Sequence, residues 1–243
     1  MFIGWLEVSL LVRWLLGWIL ALSLPILPAS RPFRQRKVSV LIPARNEAAT
    51  LPHLLADLRQ QVLRPDEVIV VDDHSSDGTS VVAMEAADRL PIKVIQPPSL
   101  PDGWCGKTWA LHNGVMHSVG EVLVFLDADT EPAAGLLESL VAQQQRLGGL
   151  VSVQPFHRTE RLYEQLSLLF NLVGLMAVPL GPRCGVAFGP AMATSREHYL
   201  RSGGHQAVAN KVVEDWFLAH RYEQACLPVS AFIGDHQIAY RMY

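Results

Sequence analysis

The strongest pattern along the chain is an apolar run, Val122-Leu123-Val124-Phe125-Leu126, that stops abruptly at Asp127-Ala128-Asp129-Thr130. A continuous apolar run of that length reads as a strand buried on both faces, the usual state in a parallel sheet. Similar short β-rich runs occur at residues 38–42, 67–71, 92–95 and 150–153. Between them lie stretches of helical character. Leu51, Leu54, Leu55 and Leu58 recur at helical spacing, and residues 81–90, 109–118 and 136–147 also read as helices. Such alternation predicts βαβ units: an α/β, Rossmann-like, mostly parallel sheet flanked by helices. No internal repeat or low-complexity segment interrupts it.

The N-terminus follows another pattern. Residues 8–27 are almost continuously apolar, with Arg13 the only charge. That length matches the roughly 20 residues a spanning helix requires. Trp5, Trp14 and Trp18 are residues that favour membrane interfaces. Arg31, Arg34, Arg36 and Lys37 follow, where the positive-inside rule places them in the cytoplasm. A cleaved signal peptide would carry its basic residues before the apolar run. The expectation is therefore an uncleaved N-terminal transmembrane helix in residues 1–30, followed by a cytoplasmic catalytic domain over residues 37–243. Arg13 and Pro25 also allow a helix lying in the interface. The protein would then sit at the cell membrane, single-pass or peripheral.

Composition adds little beyond this. Half of the 243 residues (50%) are hydrophobic, and the mean hydropathy of +0.20 reflects mainly the N-terminus. A net charge of −3 gives no electrostatic basis for nucleic-acid binding. Cys105, Cys184 and Cys226 form no C-x-x-C pair, which argues against structural zinc and a disulfide scaffold and fits a reducing compartment.

The chemistry gathers in loops after strands. Pro43-Ala44-Arg45-Asn46-Glu47 follows the first, Asp72-Asp73-His74-Ser75-Ser76-Asp77-Gly78-Thr79 the second, and Asp127-Ala128-Asp129 the fourth. In a parallel sheet these loops share the carboxyl edge, where ligands bind in open α/β folds. Arg45, Glu47, Asp72, Asp73, Asp77, Asp127 and Asp129 are then expected to line one crevice. Charges so close need a partner, most simply a cation and a polar ligand. Asp127 and Asp129 are hard oxygen donors suited to Mg²⁺ or Mn²⁺ bridging to a diphosphate. They also read as a helix start, with Thr130 or Asp129 capping Glu131 and Pro132. Asp77-Gly78-Thr79 fits ordinary turn chemistry. Gly106-Lys107-Thr108 is not a P-loop, because position 101 is Pro101 where that motif needs glycine. Lys107 can serve a diphosphate as a point charge, or simply open a helix as a solvated lysine.

Taken together, the 43–47, 70–79 and 127–129 motifs, in this order and spacing, resemble those of the family 2 glycosyltransferases. The resemblance covers residues 37 to the end. Gly103-Trp104-Cys105-Gly106-Lys107-Thr108-Trp109-Ala110 and Glu214-Asp215-Trp216 look most like the subgroup acting on carotenoid acids (diaponeurosporenoate glycosyltransferases) and hopanoid-associated relatives. It implies a GT-A fold and metal-dependent, inverting transfer from a UDP-sugar to a lipid or isoprenoid acceptor at a membrane. It implies that Pro43, Ala44, Arg45, Glu47, Asp72, Asp73, Lys107 and Asp127 hold the nucleotide-sugar, and that Asp127 and Asp129 place the ion. Asp215 would be the catalytic base, with Glu214, Gly203 and Gly204 on the acceptor side. Without the resemblance, Glu214 and Asp215 read as ordinary acidic residues of a first helical turn, and the two glycines as a helix stop. His236 is a weaker candidate metal ligand. Residues 166–180 are short for a span and fit a core helix or an interfacial helix that collects a lipid-soluble acceptor, the latter favoured. Members of the subgroup continue beyond the equivalent of Arg241-Met242-Tyr243, so the chain reads as a fragment or a shortened member. Two rival classes remain, a nucleotidyltransferase and a non-catalytic membrane-bound scaffold.

Overall fold

The computed structural model describes residues 4–22, 24–158 and 178–240. After helix α1 (Trp5–Leu22) come β1 (Val38–Ala44), α2 (Leu51–Arg59), β2 (Glu67–Asp72), α3 (Thr79–Glu85) and β3 (Ile92–Ile95). Then follow α4 (Gly106–His117), β4 (Val122–Leu126), β5 (Thr130–Pro132), α5 (Leu136–Leu147), β6 (Leu150–Gln154) and β7 (Phe156–His157). Beyond residue 177 lie β8 (Ala191–Ser195), α6 (Arg196–Ser202), α7 (Glu214–Gln224), β9 (Val229–Ile233) and β10 (Ile238–Tyr240). The expected helix or interfacial segment at 166–180 falls mostly outside the described residues.

Among the described residues the main sheet has the order β3-β2-β1-β4-β8-β6-β9. It is mixed. β1 pairs in parallel with β2 and β4, β2 with β3, and β6 with β9, while β8 runs antiparallel to both β4 and β6. Alternating side chains feed two cores. Val40, Ile42, Val68, Val70, Val124 and Leu126 pack with α2, α3 and α5 on one face. Leu41, Ile69, Val71, Leu123 and Phe125 pack with α4, α6 and α7 on the other. Burial on both faces explains why these strands read as unbroken apolar runs. A second, small sheet of β5, β10 and β7 follows the acidic end of β4.

The expected membrane span is not formed. No helix among the described residues is long and apolar enough to cross a membrane. The apolar run is not one continuous helix: α1 ends at Leu22, and it carries Glu7 in its first turn as well as Arg13. The last part of the run belongs to the folded domain. Leu27 N–H donates to Ile233 O at 2.9 Å and Ile233 N–H to Pro25 O at 2.8 Å, so this segment extends the sheet beside β9. Buried Gln237 donates to Leu27 O, and the Leu27 side chain lies in the core. Hydropathy alone counted a core residue as membrane sequence. The transmembrane-helix reading, and the single-pass membrane location built on it, are withdrawn.

Leu27 is 1% exposed and Ile26 is 49% exposed. Leu27→Ala is expected to lower unfolding free energy in urea titrations by about 2–4 kcal/mol. Ile26→Ala is expected to change it by no more than about 0.5 kcal/mol. Equal small effects would contradict the docking of this segment onto β9.

Candidate active site

The site lies at the carboxyl edge of β1, β2 and β4. Parallel register brings their ends level, pairing Ala44 with Asp72 across β1 and β2. Antiparallel β8 starts where β4 stops, with Leu126 opposite Ala191. The residues before β8 therefore reach the same edge, and Asp127 N–H donates to Pro190 O at 3.0 Å. Pro43, Ala44, Arg45, Glu47, Asp73, Gly106, Lys107, Ala110, Asp127, Ala128 and Asp129 enclose a crevice of about 370 Å³. That volume is within the range of small-molecule sites.

Most of the expected nucleotide-binding residues line this crevice. Asp72 and Asp77 do not. The Asp72 carboxylate accepts from Ser75 N–H at 2.9 Å and from the Ser80 hydroxyl. Burial alone would raise its pKa, but these hydrogen bonds outweigh burial and hold it below the usual value. Asp77 accepts from Ala48 N–H at 3.0 Å and from Thr79. Glu47 N–H donates to Thr79 Oγ1 and Asn46 N–H to Ser75 Oγ, both at 2.9 Å. These bonds fasten the 46–48 backbone to the 75–79 loop. The two aspartates thus shape the wall of the crevice without facing it.

Arg45 Nη1 lies 3.2 Å from Asp73 Oδ2, and Asp73 N–H donates to Ala44 O at 2.8 Å. Gly106 opens α4 directly against this carboxylate, and a Cβ there would stand 2.8 Å from Asp73 Oδ2. Lys107, in the first turn of α4, reaches across the crevice. Its Nζ is 2.9 Å from Asp127 Oδ1 and 3.0 Å from Glu214 Oε1. Burial opposes its charge, but the two carboxylates prevail and raise its pKa above the ordinary lysine value.

Asp215 opens α7 beside Glu214 and does not line the crevice itself. Its Oδ2 accepts from Gly189 N–H and its Oδ1 from Trp216 N–H, each at 2.8 Å. A Cβ on Gly189 would lie 3.4 Å from Lys107 Nζ, 3.5 Å from Asp215 Oδ2 and 3.6 Å from Glu214 Oε1. Gly189 therefore joins Asp215 to the corner where Lys107, Asp127 and Glu214 meet. Its sequence signal is the stretch Phe188-Gly189-Pro190-Ala191-Met192-Ala193-Thr194, which resembles the acceptor-side strand of the family 2 glycosyltransferases.

Asp129 projects into the open crevice, yet its surroundings still disfavour charge. Partial burial, then the charge of Asp127, raise its pKa. A divalent ion would relieve that repulsion. No group of three or more His, Cys, Asp or Glu side chains among the described residues forms a metal cage. Two carboxylates plus substrate phosphates are, however, a common way to hold Mg²⁺. Asp127 and Asp129 fit such an ion on that donor chemistry. The helix-cap reading of this stretch does not describe it: Thr130 begins strand β5, and its hydroxyl donates to Asp127 O at 2.8 Å.

His236 is exposed and pairs with Asp235 at 2.8 Å. The antiparallel register sets Tyr240 opposite Thr130, so His236 lies at the other end of β10 from Asp129. Gly203 and Gly204 sit outside the crevice lining. Gly203, at φ 84°, ends α6 with its N–H donating to Leu200 O, and Gly204 packs under the Tyr199 ring. Close behind them, His205 is fully buried, with Nδ1 2.9 Å from the Tyr199 hydroxyl.

Fold and site together define a GT-A-type α/β domain with an acidic, nucleotide-sized crevice. The chain belongs to glycosyl transferase family 2, whose sequence model matches residues 39–178. It is 34% identical over 219 residues to a 4,4'-diaponeurosporenoate glycosyltransferase of Staphylococcus haemolyticus, covering 86% of this chain and 57% of that protein. It is 36% identical over 221 residues to the like-named protein of Staphylococcus aureus strain MRSA252, covering 87% and 58%. The chain thus spans little more than half the length of these curated relatives. Among solved structures, a mannosyltransferase from Pyrobaculum calidifontis in complex with GDP-Man and Mn²⁺ aligns with a TM-score of 0.65 at 23% identity, over 90% of this chain and 63% of that one, a likeness of fold. Glucosyl-3-phosphoglycerate synthase from Mycobacterium tuberculosis, in complex with Mn²⁺, UDP and glucosyl-3-phosphoglycerate, aligns with a TM-score of 0.58 at 25% identity, over 90% and 80%.

His205 gives the site region a pH signature. Burial first, then the charge of Lys107 and the neighbouring His112, push its pKa from 6.5 down to about 3. Below the unfolded value the unfolded chain binds a proton that the folded chain refuses. Stability should therefore fall as pH drops through that window, with a slope from this group approaching about 1.4 kcal/mol per pH unit. In urea titrations over this range, His205→Gln should give a shallower acid slope. A slope equal to that of the parent would contradict the assignment.

Proposed function

We propose that this chain carries the donor-binding and catalytic centre of an inverting glycosyltransferase. It would move a sugar from a UDP-sugar to a hydroxyl or carboxyl group of a lipid-soluble, isoprenoid-type acceptor, with Mg²⁺ or Mn²⁺ as cofactor. The observation that carries this reading is the single corner in which Asp73, Lys107, Asp127 and Asp129 share one crevice while Glu214 and Gly189 tie Asp215 to it. The names of the Staphylococcus relatives support the acceptor class, and the UDP and Mn²⁺ in the glucosyl-3-phosphoglycerate synthase complex support donor and ion.

In this reading the 43–47 loop and Asp73 hold the nucleoside. Lys107 offers the diphosphate a fixed positive charge. Asp127 and Asp129 would hold the ion, whose contribution when bound is Lewis-acid neutralisation of the departing diphosphate. Asp215 keeps its carboxylate oriented through the Gly189 and Trp216 N–H groups and takes the proton from an acceptor hydroxyl. The bond from the anomeric carbon to the phosphate oxygen breaks as the bond to the acceptor oxygen forms. One displacement inverts the anomeric centre. A carboxylic acceptor is already ionised near neutral pH and needs positioning more than deprotonation.

The test uses the purified chain with UDP-glucose, Mn²⁺ and, in separate assays, diaponeurosporenoate and an isoprenoid alcohol as acceptor. Transfer and UDP release should require the ion. Asp215→Asn should lower turnover with a hydroxyl acceptor by about 10²–10⁴-fold while UDP binding persists. Pyrophosphate released from a nucleoside triphosphate, without UDP from UDP-glucose, would assign the site to a nucleotidyltransferase instead. Full turnover in Asp215→Asn with the alcohol acceptor would remove that residue as the base.

A further inference from the structure

Lys107 brings one ammonium to two carboxylates from different elements. Asp127, at the end of β4, receives it at 2.9 Å through Oδ1 and 3.1 Å through Oδ2. Glu214, in the first turn of α7, receives it at 3.0 Å. The two carboxylates are not equivalent. The Asp127 side chain is 25% exposed and opens into the crevice, whereas the Glu214 side chain is 7% exposed. A buried carboxylate that loses its cation is left uncompensated, at high cost. An exposed one facing a polar crevice can exchange one cation for another.

A divalent ion on Asp127 would meet an ammonium already bonded to both oxygens of the same carboxylate. Like charges at that separation repel strongly wherever water is partly excluded. We propose that Lys107 is the resident counter-ion of Asp127 when the site holds no metal, that an incoming divalent cation displaces it, and that Glu214 is the positioning residue that retains the released ammonium. This rests on the reading of Asp127 and Asp129 as the metal-holding carboxylates. Arrival of the ion then frees the Lys107 charge for the donor's phosphates, while Glu214 keeps it anchored to α7 next to Asp215. The absence of a side chain at Gly189 leaves that corner open to the ammonium.

Binding of Mn²⁺ alone, without nucleotide or acceptor, tests this. The signal of free aqueous Mn²⁺ in electron paramagnetic resonance reports the affinity directly. Lys107→Met is expected to bind Mn²⁺ about tenfold or more tighter than the parent, since about 1.4 kcal/mol of relieved repulsion suffices for that factor. Lys107→Gln, which keeps hydrogen-bonding capacity without charge, should tighten binding likewise and covers the case in which Lys107→Met fails to fold. Glu214→Gln should weaken binding, because the ammonium then has only Asp127. The double variant Lys107→Met/Glu214→Gln should still bind Mn²⁺ more tightly than Glu214→Gln alone, because removal of the ammonium relieves the repulsion whether or not Glu214 keeps its charge. A lysine with a merely structural role would give looser binding, not tighter. Unchanged or weaker Mn²⁺ affinity without the Lys107 charge overturns the proposal. So does a double variant that binds Mn²⁺ no more tightly than Glu214→Gln alone. Asp127→Asn and Asp129→Asn isolate the underlying reading: undiminished Mn²⁺ binding in Asp127→Asn takes Asp127 out of the metal site and overturns the exchange, and undiminished binding in both would end the metal assignment, whatever the lysine variants do.

Discussion

Negative charge is in surplus at one edge of the sheet, and the rest of the site is organised around managing it. Glu47, Asp73, Asp127 and Asp129 line the crevice against Arg45 and Lys107. Arg45 is committed to Asp73, and Lys107 is divided between Asp127 and Glu214. Asp129 has no ion-pair partner among the described residues, and burial first, then the charge of Asp127, raises its pKa. Asp127 and Asp129, both lining this crevice, have the donor chemistry that suits a divalent cation bridging to phosphate. The folded domain accepts an electrostatic cost that ligand binding would offset.

The reversed strand β8 decides how the second half of the site joins the first. A parallel strand next to β4 would send its preceding loop to the opposite edge of the sheet. Because β8 runs antiparallel, Gly189 and Pro190 arrive beside Asp127, and Gly189 then fixes the carboxylate of Asp215. The carboxylate at the end of β4 and the carboxylate at the start of α7 thus become neighbours although they are far apart in sequence. Lys107 closes the link electrostatically, since one ammonium touches residues from both halves.

Strand β4 was readable because it is buried on both faces and so matches the apolar run at 122–126, whereas β3, an edge strand with Lys93 exposed, was readable at 92–95 from its β-branched residues. The α3 boundaries were not: the helix starts at Thr79, after Gly78 in a left-handed conformation, and ends at Glu85, where the chain passes into turns over residues 86–89. Polar loop residues were legible as a group but not one by one. Asp73 and Asp129 face the crevice, while Asp72 and Asp77 satisfy loop N–H and hydroxyl groups, a division that depends on backbone turns no spacing rule encodes. The membrane-span reading failed because hydropathy cannot tell residues 25–27, which extend a sheet, from residues that meet lipid. The pairing of Lys107 with Glu214 left no local trace either, since it joins residues from two separate helices across the crevice.

The central claim is that one divalent ion and one nucleotide meet at the carboxyl edge of β1, β2 and β4. A crystal of this chain soaked with Mn²⁺ and UDP, with anomalous differences recorded for manganese, tests it most directly. The expected result is a manganese peak within coordinating distance of Asp129 or Asp127, touching the diphosphate, with the uracil against the 43–47 loop and Asp73. Manganese bound elsewhere, or UDP seated outside this crevice, would contradict it.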